Sequence, residues 1–196
     1  MKLNLTTKYN RADIEIILVI NKKIKSDKKI LKELNFKGND EECVLLTETK
    51  KIYVGCEDNH HDSIRIALAC AIRKLNTTTY KSAKIICKDN LKAIVDGLEL
   101  GNYTFDKYKS KKDSENKKEK DIYIEVSEIT SKLQNEFEEA VNICEAVNSV
   151  RNMVNTTPDD FYPEIMALEA SIIAKENSLE CKIFDDEYLE EQGMGS

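Results

Sequence analysis

From Ile14 to Val126 the chain alternates apolar runs of strand length with stretches whose apolar residues recur at helical spacing, and this alternation restricts the fold more than any other feature. Residues 14–20 are almost continuously apolar, as a strand covered on both faces is. Residues 43–47 and 52–56 read as two more strands, and the four residues between them suit an antiparallel hairpin. Residues 2–6 alternate like a half-buried strand, 83–87 form another buried run, and 122–126 form the last. Ile64, Ala67, Leu68, Ala71, Ile72 and Leu75 make one helical stripe, and Leu91, Ile94, Val95 and Leu98 make a second. A shorter helix carries Ile30, Leu31 and Leu34, capped by Ser26 or Asp27 and ended near Gly38. Asp62 or Ser63 opens the first long helix and Asp89 or Asn90 the second, with Gly101-Asn102 expected to end the latter at positive φ. Such alternation predicts an α/β sandwich around a mixed sheet.

At Leu133 the pattern changes to one long stripe. Leu133, Phe137, Ala140, Val141, Cys144, Val147, Val150 and Val154 share a face, on a helix of roughly 35 Å that is long enough to connect two domains. Asn155-Thr156-Thr157-Pro158-Asp159-Asp160 ends it in a turn. Pro163 and Glu164 suit the first turn of another helix, with Ile165, Leu168, Ser171 and Ile172 on one side. Residues 179–184 read as a short strand, and Asp185 or Asp186 caps a last helical turn carrying Tyr188 and Leu189. These final ~40 residues are too few to close a core of their own. The expected organisation is therefore a domain over 1–130, a connecting helix over 131–155, and the incomplete, truncated start of a second α/β domain over 156–196.

Two segments carry a resemblance. Arg151-Asn152-Met153-Val154-Asn155-Thr156-Thr157-Pro158, followed by Pro163-Glu164, the run 180–185 and Gly193-Met194-Gly195, resembles the opening of the catalytic domain of the leucyl aminopeptidase (cytosol aminopeptidase) family. Upstream, Gly97-Leu98-Glu99-Leu100-Gly101-Asn102-Tyr103-Thr104-Phe105-Asp106-Lys107-Tyr108-Lys109-Ser110-Lys111-Lys112 is similar to the segment that closes that family's N-terminal domain. The resemblance implies an N-terminal αβα sandwich with a mixed sheet. It also implies a two-metal exopeptidase, with zinc or manganese as cofactor, peptides as substrates and a homo-hexamer as the working assembly. The family's metal ligands follow the Gly-Met-Gly turn. No residue here matches them, so no catalytic, cofactor-binding or metal residue is assigned and the 196-residue chain is expected to be inactive alone. Tyr162 departs from the family's usual threonine or serine before Pro-Glu, which removes a helix cap worth roughly 1 kcal/mol.

Composition narrows the alternatives. The formal net charge is −6, which weighs against nucleic acid as the main partner, since phosphate contact needs a clustered positive face. No apolar run approaches the ~18–20 residues that span a bilayer, and residues 1–10 do not resemble a signal peptide, so neither a membrane partner nor secretion is expected. The six cysteines, at 43, 56, 70, 87, 144 and 181, are widely spaced, as reduced buried thiols of a cytoplasmic protein are. His60-His61 is the only histidine pair, and adjacent helical residues point roughly 100° apart, so the pair reads as a solvated helix start beside Asp58 and Asp62. The acidic groups Asp40-Glu41-Glu42, Glu136-Glu138-Glu139 and Glu187-Glu190-Glu191 lack calcium-loop spacing and read as solvated faces. Tyr103, Phe105 and Tyr108 interleave with Lys107, Lys109, Lys111 and Lys112, the mix found in single-strand binders. The favoured reading is an aromatic anchor at a helix-to-loop junction, followed by a mobile lysine- and glutamate-rich loop over 110–120. The remaining alternative is a stand-alone, non-catalytic domain with a binding or regulatory role, with DNA as its partner.

Overall fold

The computed structural model describes residues 1–9, 11–110 and 119–194, and it divides into two compact units, Met1–Val150 and Arg151–Ser196. The first unit is built around β2 (Ile14–Ile20), which has a parallel partner on each side: β4 (Lys51–Cys56) and β5 (Ser82–Ile86). With β1 (Lys2–Thr6), β3 (Cys43–Leu46) and β6 (Asp121–Glu125), the strand order is β1-β6-β5-β2-β4-β3. All neighbours run parallel except β3 and β4, which form the expected antiparallel hairpin with Cys43 opposite Val54. The sheet is therefore mixed.

The period-2 pattern of each strand decides what covers the sheet. Ile16, Ile52, Val54, Ala83, Ile85, Ile122 and Ile124 fall on one face and are at most 2% exposed. Against them pack α2 (His61–Asn76), α3 (Leu91–Asn102) and, through Phe137, Ala140 and Cys144, α4 (Ser131–Asn155). Each large side chain so buried contributes roughly 1.5–3 kcal/mol, which makes this layer the main source of stability. On the other face α1 (Lys28–Glu33) places Leu31 over Val19 and Tyr53, with Phe36 and Leu46 completing a smaller core. The rest of that face carries the polar row Asn4, Tyr123, Lys84 and Glu15, over which no helix lies among the described residues. The αβα expectation holds, with the α1 layer covering only part of its face.

Local signals diverge from the sequence reading at several ends. Asn90 and Asp27 do precede their helices, but both adopt left-handed φ and neither side chain caps. Asn90 Nδ2 instead donates to the Asn59 carbonyl oxygen at 3.1 Å. Gly101 lies inside α3, and neither it nor Asn102 has positive φ; the glycine is there for packing. The long helix starts at Ser131, where Thr130 Oγ1 accepts from the Leu133 N–H at 3.2 Å.

The second unit holds α5 (Pro163–Glu176) and α6 (Asp186–Glu191). Pro163 is the first residue of α5, Tyr162 makes no side-chain cap, and Asp185 caps α6 by accepting from the Tyr188 N–H at 2.9 Å. Residues 179–184 are not a strand. Their alternating apolar residues suit one, but a strand exists only where a neighbour satisfies its backbone groups, and no other strand lies in this unit among the described residues. Leu179, Ile183 and Phe184 are consequently more than half exposed.

Candidate functional site

In a sheet of parallel strands, ligand sites gather outside the carboxyl ends of the strands. Here the turns after β4 and β5 repeat one motif, Cys56-Glu57-Asp58-Asn59 and Cys87-Lys88-Asp89-Asn90. In each the thiol donates to the carbonyl two residues on, Cys56 Sγ to Asp58 O at 3.0 Å and Cys87 Sγ to Asp89 O at 3.5 Å. Burial pushes both thiols up to about 11, so neither is a nucleophile near neutral pH. Asp58 accepts from the His60 N–H at 2.8 Å, which holds its carboxyl below the usual range. His60 Nδ1 in turn accepts from the Asp62 N–H at 3.3 Å as the cap of α2. The histidine pair thus opens a helix, as its sequence context predicts.

A second concave region, about 340 Å³, lies around the first residue and includes Glu99, Glu119, Phe137 and Glu145. Burial raises the Glu99 carboxyl, the chain's amino terminus opposes that rise, and Glu145 adds to it. The Met1 amino group lies 3.5 Å from Glu119 Oε1. Here the positive group is already supplied by the chain itself. One turn earlier on α3, Asp96 accepts from Cys144 Sγ at 3.4 Å and lies 3.7 Å from Arg65 Nε, tying α2, α3 and α4 together. Burial first and the Asp96 contact second push the Cys144 thiol up to about 12.

The aromatic-basic segment is folded on itself. Phe105 and Tyr108 meet edge to face at 5.7 Å, Lys107 Nζ sits 5.6 Å from the Tyr108 ring centre, and Lys109 Nζ pairs with Asp106 at 2.8 Å. Lys111 and Lys112, and the lysine- and glutamate-rich loop through residue 118, lie outside the described residues, as does Gly195 of the Gly-Met-Gly turn.

Among the described residues no group of three or more histidine, cysteine, aspartate or glutamate side chains is placed to hold a metal ion. The implied pair of metals therefore does not fit these described residues. Nor is any helix among them long and apolar enough to cross a membrane.

With this geometry in view, three comparisons bear on the fold. The model of the cytosol aminopeptidase family, N-terminal domain, matches residues 20–112. A probable cytosol aminopeptidase of Wolinella succinogenes is 30% identical over 200 residues, which cover 95% of this chain and 41% of that protein. One from Aquifex aeolicus is 32% identical over 203 residues, covering 93% of this chain and 39% of its own. Among solved structures, a mutant of tomato leucine aminopeptidase superposes with a TM-score of 0.79 at 18% identity, covering 100% of this chain and 46% of the other. The bottromycin maturation enzyme BotP in complex with Mn gives a TM-score of 0.75 at 17% identity, covering 93% and 40%. The chain thus spans about two fifths of the length of the curated relatives it matches.

Proposed function

This chain carries the N-terminal domain of the cytosol aminopeptidase family, and on that premise we propose that residues 1–196 act as the N-terminal part of a leucyl aminopeptidase, an exopeptidase that removes amino acids from the amino ends of peptides. The observation that carries this reading is the match to the Wolinella succinogenes protein, which runs through 95% of this chain at 30% identity. On this reading the family domain occupies 1–130, a connecting helix 131–155, and the start of the catalytic domain 156–196. The working enzyme is cytoplasmic and hexameric.

Two zinc or manganese ions, when bound by the catalytic segment, would polarise the peptide carbonyl and activate water. On this reading the ligands lie outside the described residues of this chain, among which no three-ligand group is found. The part of this chain is to fold the first unit and to begin the second, where Arg151 to Pro158 forms the end of α4 and the turn after it.

Hydrolysis of leucyl p-nitroanilide tests the reading. The 196-residue chain is expected to show no turnover with manganese or zinc, whereas a chimera joining it to the remaining three fifths of the Wolinella succinogenes relative is expected to show metal-dependent turnover. A soluble, folded chimera without activity, or metal-dependent activity in the 196-residue chain itself, would overturn the assignment.

A further inference from the structure

Residues 21–37 concentrate seven lysines, Lys22, Lys23, Lys25, Lys28, Lys29, Lys32 and Lys37, against only Asp27 and Glu33. The local charge is +5 in a chain whose net charge is −6. All seven lysines are exposed. Among the described residues none of them makes an ion pair. Asp27 does not neutralise them, because its carboxylate is taken by Lys51 Nζ at 2.8 Å and Tyr53 Oη at 2.5 Å.

Folding forces this arrangement. Ile24, Ile30, Leu31 and Phe36 turn inward onto the face of β2 and β4, so the lysines between them turn out. Amid them Leu34 is left 51% exposed. The segment thus presents a basic surface on an acidic protein and carries one exposed large apolar side chain, Leu34.

We propose that α1 and its flanking loops form a peripheral docking surface for an anionic phospholipid bilayer. The composition distinguishes this partner from nucleic acid. Phosphodiester recognition favours arginine forks and exposed aromatic rings for base stacking, and the segment has no arginine and only the buried Phe36 as an aromatic. Lysine point charges satisfy mobile headgroups equally well, and Leu34 supplies apolar area at the acyl boundary. The contact differs from spanning the bilayer and stands apart from the peptidase reading. With no covalent lipid called for, it is reversible and salt-sensitive.

Sedimentation with sucrose-loaded vesicles tests it. At low salt the 196-residue chain is expected to pellet with 2:1 phosphatidylcholine–phosphatidylserine vesicles but not with phosphatidylcholine alone, and to be released at about 0.5 M salt. Lys28→Gln/Lys29→Gln/Lys32→Gln is expected to weaken binding about a hundredfold, at about fivefold per lysine. Lys22→Gln/Lys23→Gln/Lys25→Gln, on the loop rather than the helix, is expected to do the same, and circular dichroism verifies that each variant is folded. Lys107→Gln/Lys109→Gln is expected to bind as the parent does. Equal binding to both vesicle types, wild-type binding by a folded triple variant, or binding to a 25-base-pair duplex in preference to the vesicles would each overturn the proposal.

Discussion

Gly101 of α3 rests directly on Ala69 of α2: a Cβ at Gly101 would lie 2.5 Å from the Ala69 Cα and 2.7 Å from its Cβ. One helical turn earlier, a Cβ at Gly97 would lie 2.9 Å from the Arg65 carbonyl oxygen. The spacing of four puts both glycines on one face and brings the two helix backbones together. Because backbone atoms cannot yield as a flexible side chain can, Gly101→Ala is expected to cost about 1–3 kcal/mol despite alanine's better helix propensity. Thermal melting measures it, and a variant as stable as the parent would show that the helices move apart freely.

The Asp27 carboxyl is held below its ordinary value of 3.8, first by Lys51 and then by Tyr53. Asp13 is lowered too, chiefly by the Lys81 N–H at 2.8 Å and in part by the Ser82 N–H at 3.0 Å. A carboxyl with a depressed folded pKa contributes stability that is fully present above its unfolded value and lost as pH falls through the folded one. Asp13→Asn and Asp27→Asn are therefore expected to melt below the parent near neutral pH. The gap should close as pH drops below 3.8. Melting curves at a series of pH values check this, and a gap that widens in acid would contradict it.

Lys120 is only 8% exposed, yet its Nζ donates to the carbonyl oxygens of Thr78 at 3.1 Å and Tyr80 at 2.5 Å. It closes the turn after α2 from the strand that begins next to it. Lys120→Met keeps the apolar stem and leaves those carbonyls without this donor, at an expected cost of about 1–3 kcal/mol. Urea denaturation measures the loss. A midpoint unchanged from the parent would mean that water replaces the ammonium group.

Thiol reactivity should sort the cysteines by burial. Cys56, Cys87 and Cys144 are buried and raised to about 11, 11 and 12, and Cys43 is raised to about 11, whereas Cys181 is exposed. A disulfide reagent at pH 8 is expected to label Cys181 first and the three buried thiols only on unfolding. Peptide mapping by mass spectrometry follows the order, and early labelling of Cys144 would mean that α4 opens locally.

Much of the first unit is legible in the chain itself, because helical and strand periods are properties of consecutive residues. The stripe Ile64, Ala67, Leu68, Ala71, Ile72 and Leu75 defines α2, and all six side chains are buried as the period requires. The hairpin of β3 and β4 follows from a short link alone. The lysines of residues 21–37 are visible in the sequence, but that Leu34 stays exposed among them while Leu31 and Phe36 are buried is not.

Where the partner of a residue lies far along the chain, periodicity cannot name it. That β2 lies between β4 and β5, and β6 between β5 and β1, depends on which strands helices α2 and α3 can cross, which only the packed layers decide. Asp27 looks like a helix cap, yet its carboxylate belongs to Lys51 and Tyr53. Gly101 looks like a helix stop, yet its role is set by Ala69 more than thirty residues before it. Residues 179–184 carry a strand's pattern but have no strand beside them in their unit. The sequence determined which segments have a helical or extended preference and which faces are apolar; the tertiary structure decided strand order, close approach and polar pairing, because each is an interaction between distant residues with no local signature.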